Sequence, residues 1–141
     1  MIKKVENKTT DFVYRSDSIL KLIPRLIVGL IFVPAGWGKL NNLSQTIEYF
    51  TSLGIPAAQL QAPFVAGVEL IFGLTVLIGL FTRISTLPLI GTMVVALATA
   101  HRAEFQTVFS VIEILPAMYL TILLCVLALG SGTLSADHYR K

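Results

Sequence analysis

Two charged side chains that could do chemistry lie in stretches that are otherwise apolar. Glu69 is the one formal charge between positions 57 and 81, and Arg25 lies near the start of an apolar run that ends close to Lys39. A charge at the centre of a bilayer costs about 2.5–3.5 kcal/mol on insertion scales, so such a residue faces other helices or a cavity and finds a partner. We therefore expect Glu69 to lie inside a helix bundle, either in a ligand or proton site or as a structural pin.

Helical spacing places these charges on faces that also carry small residues. Glu69 shares one stripe with three small residues at intervals of four, three and four positions: Ala62, Ala66 and Gly73. Arg25 and Lys39 share a second stripe, at intervals of four, three, four and three, with Gly29, Phe32 and Gly36. Small residues let transmembrane helices approach closely. The two stripes are therefore predicted to face each other.

A pair between Arg25 and Glu69 is the first structural prediction. Their depths differ by about 10 Å if the helices are antiparallel and rise 1.5 Å per residue. A long side chain, a water molecule or a shifted helix end could close that gap. As alternatives, Arg25 and Lys39 could each extend their charged ends to lipid headgroups.

A second polar group is expected at the outer ends of the helices. There Lys39, His101 and Glu113 would line the mouth of a pocket, with Glu69 towards its floor. Histidine titrates near neutral pH, so His101 or Glu69 could pass protons. His101 could equally be an ordinary interfacial residue. No metal site is predicted, because the reversed motif formed by His101 and Glu104 has no second histidine nearby.

The composition indicates an integral membrane protein. Hydrophobic residues make up 55% of the 141 positions and charged residues only 13%, with a mean hydropathy of +0.78. Soluble domains average about 25% charged residues. The net charge of +3 is small and scattered, which argues against nucleic-acid binding. The single cysteine, Cys125, excludes an internal disulfide and a CxxC redox pair.

The apolar runs predict an all-α integral membrane protein with four transmembrane helices in one bundle. A helix needs about 20 mainly apolar residues to cross a bilayer. A short interfacial helix is expected after the first span, within 41–61. The segment 1–18 would be a cytoplasmic N-terminal segment, 19–138 the membrane domain and 139–141 a cytoplasmic tail. The predicted spans are 19–40, 62–80, 84–100 and 112–129.

The distribution of basic residues predicts the orientation. Cytoplasmic loops carry an excess of lysine and arginine. With the N-terminus inside, nine basic residues lie on the inner side, against Lys39 and Arg102 on the outer side. Both termini are therefore expected in the cytoplasm, with the protein in the cell (inner) membrane. The nine are Lys3, Lys4, Lys8, Arg15, Lys21, Arg25, Arg83, Arg140 and Lys141.

Several short motifs in order resemble the DoxX family. They are RLIVGLIFVPAGWGKL (25–40), YFTSLGIP (49–56), VAGVELIFGLTVLIGLFTR (65–83) and GSGTLSADHY (130–139). The resemblance implies a four-helix inner-membrane protein linked to redox processes. Relatives form part of a thiosulfate:quinone oxidoreductase, and others associate with oxidative-stress defence. The motif positions carried over are Arg25, Gly36, Lys39, Glu69 and Arg83.

Three functions remain open at this point. The first is a redox-associated membrane subunit that binds a quinone or similar apolar ligand and receives electrons from a partner oxidoreductase. Catalysis would then extend at most to the membrane part of that reaction. The second is a non-catalytic scaffold that docks a soluble oxidoreductase, and the third is a small transporter. A homo-oligomer is compatible with each of them, and the bilayer is a partner in all three.

Overall fold

The regular secondary structure of this protein is entirely α-helical in the part that a computed structural model describes. That part comprises residues 2–100, 115–132 and 135–137, with the backbone alone for 2–18. The all-α class predicted from the sequence is confirmed for these residues. They form five helices: α1 (Ile2–Asn41), α2 (Leu43–Ser52), α3 (Ala58–Ile78), α4 (Thr82–Ala100) and α5 (Leu115–Leu129).

Within the described residues, three helical segments are long and apolar enough to cross a bilayer: Ile19–Asn41, Ala58–Ile78 and Thr82–Ala100. They correspond to the first three predicted spans. The fourth predicted span, 112–129, begins outside the described residues. The 15 residues of α5 give about 22 Å of helix, which is shorter than a full crossing. Four spans, and the domain boundaries at 18 and 138, therefore stay predictions.

Four helices form a ring in the order α1, α3, α4 and α5, in which α5 packs back against α1. The most extensive contact joins α1 and α3, because both present glycines at their interface. A Cβ added to Gly36 would lie 2.5 Å from the main-chain nitrogen of Leu70. One added to Gly73 would lie 2.9 Å from the Cβ of Phe32. The predicted meeting of the two small-residue stripes is thereby confirmed.

The core of the ring is apolar and tightly packed. The rings of Phe32 and Tyr119 meet edge to face, with centroids 6.1 Å apart, a favourable geometry for aromatic pairs. The outer surface is apolar as well: Leu30 and Phe64 are each 70% exposed. Such a surface is suited to contact with lipid and not to contact with water. Around Phe32 the buried core consists of Val28, Val68, Val76, Leu89, Met93, Leu123 and Val126.

The short helix expected after the first span is present as α2. It packs against α3, where Phe50 contacts a small cluster with Ala58 and Ala62. The turn that follows α2 contains Gly54, whose φ is +71°, a value that glycine adopts without strain. Helix α2 therefore covers the end of the bundle at which α1 finishes and α3 begins.

Candidate functional site

The buried carboxylate of Glu69 is paired with Lys39. The ammonium of Lys39 donates to both carboxylate oxygens, at 2.5 Å each. Glu69 is 2% exposed, whereas the side chain of Lys39 is 33% exposed. Lys39 lies in the last turn of α1, and the close approach at Gly36 brings that turn against the middle of α3. The pair therefore links two helices through one buried and one accessible charge.

The predicted pairing of Arg25 with Glu69 is wrong. Arg25 is 1% exposed, and its guanidinium donates to main-chain carbonyls: to Val76 at 3.1 Å, to Leu77 at 3.1 Å and to Ser131 at 2.6 Å. The last carbonyls of a helix lack an N–H partner within the helix and carry partial negative charge. The end of α3 thus offers Arg25 acceptors that no pattern of side chains reveals.

The C-terminal segment docks on the turn between α3 and α4, beside Arg25. The carboxylate of Asp137 accepts from the main-chain N–H of Phe81 at 2.7 Å and from that of Thr82 at 3.1 Å, and from the Thr82 hydroxyl at 3.2 Å. It therefore caps the start of α4. Asp137 also attracts the guanidinium of Arg25 electrostatically. A Cβ on Gly79, which has a φ of +79°, would collide with that guanidinium.

Sequence reasoning missed this cluster of Arg25, Asp137 and the α3–α4 turn. The available signal was the conjunction of the motif around Gly79 to Arg83 with the closing motif at 130–139. Both are now seen to meet: the main-chain N–H of Asp137 donates to the carbonyl of Gly79 at 3.0 Å. The groups of the cluster form hydrogen bonds with one another, so its role is structural: it holds the C-terminal segment against the α3–α4 turn.

A cavity of about 1370 Å³ opens between α1, α3, α4 and α5, and residues of α2 also line it. Ligand pockets are commonly about 300–1,000 Å³, so this space can hold a sizeable molecule. Its wall is mainly apolar and includes both partners of the ion pair, Lys39 and Glu69. The other polar side chains on the wall are Asn42, Gln45, Thr46, Tyr49, Gln61, Thr92, Thr99 and Tyr119. Arg25 is not among the described residues that line it.

The ion pair can act as a hydrogen-bond donor towards this cavity. An ammonium carries three N–H groups, and Glu69 accepts two of them. The third is available on the exposed side of Lys39. The pair as a whole is neutral, so it favours an uncharged acceptor such as a carbonyl oxygen over an anion. The arrangement suits the recognition of a polar head group on an otherwise apolar molecule.

Two predicted site residues, His101 and Glu113, lie outside the described residues, and their place at the mouth of the pocket stays a prediction. Lys39 and Glu69 are brought together at the cavity, while Arg25 belongs to the other end of the bundle. Among the described residues, no group of three or more His, Cys, Asp or Glu side chains could hold a metal ion.

Comparison with known proteins places this fold in a family. The DoxX family matches residues 20–102, which include α2, α3, α4 and the apolar part of α1. The "Putative oxidoreductase CatD" of Bacillus subtilis (strain 168) is 36% identical over 93 residues, 65% of this chain and 68% of that protein. No solved structure matches the chain significantly.

Two further relatives are membrane proteins, of which the chain spans about half the length. The "Inner membrane protein YqjF" of Escherichia coli (strain K12) is 35% identical over 66 residues, covering 47% of this chain and 49% of the relative. An uncharacterized membrane protein of Mycobacterium tuberculosis is 40% identical over 83 residues, covering 58% and 51%. With the three apolar helices, these matches indicate a multi-pass membrane protein. The chain belongs to the DoxX family.

Proposed function

We propose that this protein is a redox-associated membrane subunit that binds a quinone or a similar lipid-soluble molecule in the cavity beside Lys39 and Glu69. The observation that carries the proposal is a charged pair that opens into a large, mainly apolar space. Apolar pockets with a few convergent polar groups are the usual form of a small-molecule site. Quinone is the ligand class that the family resemblance implies.

The head group would be held by the exposed N–H of Lys39, which donates to a quinone carbonyl oxygen. The apolar wall would take the ring and the tail. Conversion of a quinone to a quinol takes up two electrons and two protons. A partner oxidoreductase supplies the electrons, while Glu69 and His101 are the groups proposed to pass protons. The relative CatD is named a "Putative oxidoreductase", which supports a redox role.

We also propose that both termini face the cytoplasm. Nine basic residues on one side of the predicted spans against two on the other support this orientation. The contact of Ser131 with Arg25 supports the same side for both ends of the membrane domain. It implies that α5 returns the chain to the end of the bundle near which the first span begins, as a fourth crossing requires.

A second candidate is a scaffold that docks a soluble oxidoreductase and binds no small molecule. The observation that favours it is the two-fold bonding of Glu69 by Lys39, which would pin α1 to α3 without any ligand. In a scaffold, stability requires only that positions 39 and 69 carry opposite charges. In the ligand-binding function, it also matters which partner carries the exposed charge.

Exchange of the two charges separates these functions. The double variant Lys39→Glu/Glu69→Lys retains a pair but puts the donor on the buried side. We expect it to keep the unfolding temperature within a few degrees and to bind decylubiquinone at least tenfold more weakly in a detergent titration. Glu48→Gln, on the exposed face of α2, is the control. Failure of the wild type to bind any quinone would refute the proposal and favour the scaffold.

A further inference from the structure

The glycines of the bundle fall into two groups according to what a side chain would meet. At Gly29, Gly36 and Gly73, an added Cβ would run into the neighbouring helix, so close packing explains these residues. At Gly38 and Gly91 it would meet nothing within 4 Å. Packing against the described residues therefore does not explain the second group, although glycine weakens a helix relative to alanine.

Gly38 and Gly91 both line the cavity. Gly38 does so from α1, next to Lys39, and Gly91 does so from α4. Gly67 on α3 has the same empty surroundings, but it is not among the residues of the cavity wall. The chain thus contains two glycines that leave space inside the proposed site and one matched glycine outside it.

The two cavity glycines lie at about the depth of the ion pair. Glu69 comes nine residues before the end of α3 at Ile78, and Gly91 comes nine residues after the start of α4 at Thr82. Because a short turn joins these ends, both residues lie about 14 Å from it at 1.5 Å per residue. Gly38 is adjacent in sequence to Lys39, which contacts Glu69. The cavity wall therefore has one position on α1 and one on α4 without a side chain, both at the level of its hydrogen-bond donor.

We infer that Gly38 and Gly91 determine the width of the head group that can reach Lys39, and that this site takes molecules with a flat ring system wider than one ring. This inference rests on the proposed ligand site. A Cβ at either position would meet no atom of the described residues within 4 Å, so we expect a leucine there to extend into the cavity. It would therefore narrow the space beside Lys39 while leaving the fold intact.

The test uses four probes with the same decyl tail: a one-ring benzoquinone, a three-ring anthraquinone, and the hydrocarbons decylbenzene and decylanthracene. Bound molecules per protein are counted by native mass spectrometry for the full chain in detergent. We expect Gly38→Leu and Gly91→Leu to weaken binding of both three-ring probes at least tenfold and of the one-ring probes less than threefold. Gly67→Leu should match the wild type with all four.

The outcomes separate the inference from the proposed function. Equal binding of wide probes by wild type and Gly91→Leu, or an equal loss in Gly67→Leu, overturns the inference and leaves the quinone site standing. A change of oligomeric mass in Gly91→Leu with binding unchanged assigns this glycine to a contact between copies, and also overturns it. If the leucine variants lose only the three-ring probes, but quinones and hydrocarbons bind equally well, then the glycines do set the width of the site. The proposed hydrogen bond from Lys39 to a quinone carbonyl is then refuted. If the wild type binds no probe, both fail.

Discussion

Arg25 and Ser131 are 106 positions apart in the chain, and a 2.6 Å hydrogen bond joins the guanidinium of one to the main-chain carbonyl of the other. Through this bond the first span holds the segment that follows the last helix. The same guanidinium also donates to the end of α3. Arg25 therefore joins the helices near one end of the bundle, and the pair of Lys39 and Glu69 joins α1 to α3 further towards the other end.

Removal of the Arg25 side-chain charge should destabilise the bundle strongly. Arg25→Met leaves the carbonyls of Leu77 and Ser131 without their side-chain donor, at about 1–3 kcal/mol for each group left unsatisfied. The carbonyl of Val76 keeps one donor, the main-chain N–H of Gly79. Arg83→Met is the control, because Arg83 is exposed and makes one bond, of 3.3 Å, to the carbonyl of Ala128. Thermal unfolding in detergent measures both. Equal unfolding temperatures for the two variants would contradict the assigned role of Arg25.

Loss of the Asp137 carboxylate should unfasten the C-terminal segment. Asp137→Ala removes the acceptor for two main-chain N–H groups at the start of α4, a change that costs about 0.5–2 kcal/mol at helix caps. Asp137→Asn keeps one acceptor oxygen and should recover part of that loss. The measurement is the unfolding temperature together with protease cleavage after 130. Cleavage at the wild-type rate in the alanine variant would argue against docking by this residue.

Single and double substitutions of the ion pair should be non-additive. Lys39→Met leaves a carboxylate that is 2% exposed without its partner, and we expect a loss of roughly 3 kcal/mol. Glu69→Met should be milder, because the ammonium is one-third exposed and can turn towards water or headgroups. The double variant should be more stable than Lys39→Met alone. A double-mutant cycle of unfolding free energies tests this, and additive losses would mean that the pair is uncoupled.

The α1–α3 contact should reject even one added methyl group at Gly36. Its Cβ would lie 2.5 Å from the nitrogen of Leu70 and 2.7 Å from the oxygen of Ala66. Both are main-chain atoms that cannot turn aside, so Gly36→Ala should cost about 1–3 kcal/mol. Gly67→Ala, which meets nothing, should be neutral or stabilising by up to about 1 kcal/mol. The unfolding temperature of Gly36→Ala should therefore be lower than that of Gly67→Ala. The reverse order would contradict the close approach of α1 to α3 at Gly36.

Periodicity and the cost of buried charge were sufficient to predict the interior position of Glu69 and the meeting of α1 with α3. Both follow from local rules: the spacing of small residues and the need of a charge for a partner. The choice of partner did not follow. Arg25 and Lys39 lie on the same stripe, and only the register between the helices decides which of them reaches Glu69.

The cluster around Arg25 and Asp137 and the cavity both depend on contacts between distant parts of the chain, which one sequence does not display. Arg25 is satisfied by main-chain carbonyls, and every residue has a main-chain carbonyl, so composition does not mark the acceptors. Asp137 reaches the start of α4 across 55 positions. The cavity is a gap between helices, and its two unfilled glycines resemble packing glycines until the neighbouring atoms are known.

The most direct test of the ligand site is mass spectrometry of small molecules carried by the protein from its native membrane. Wild type, Glu69→Gln and the exposed control Glu48→Gln would be purified gently in parallel and their bound lipids identified. We expect a quinone in near-stoichiometric amount in wild type and in Glu48→Gln, and a loss of at least tenfold in Glu69→Gln. The absence of any quinone from the wild type, or its equal retention by a folded Glu69→Gln, would contradict a ligand site at Lys39 and Glu69.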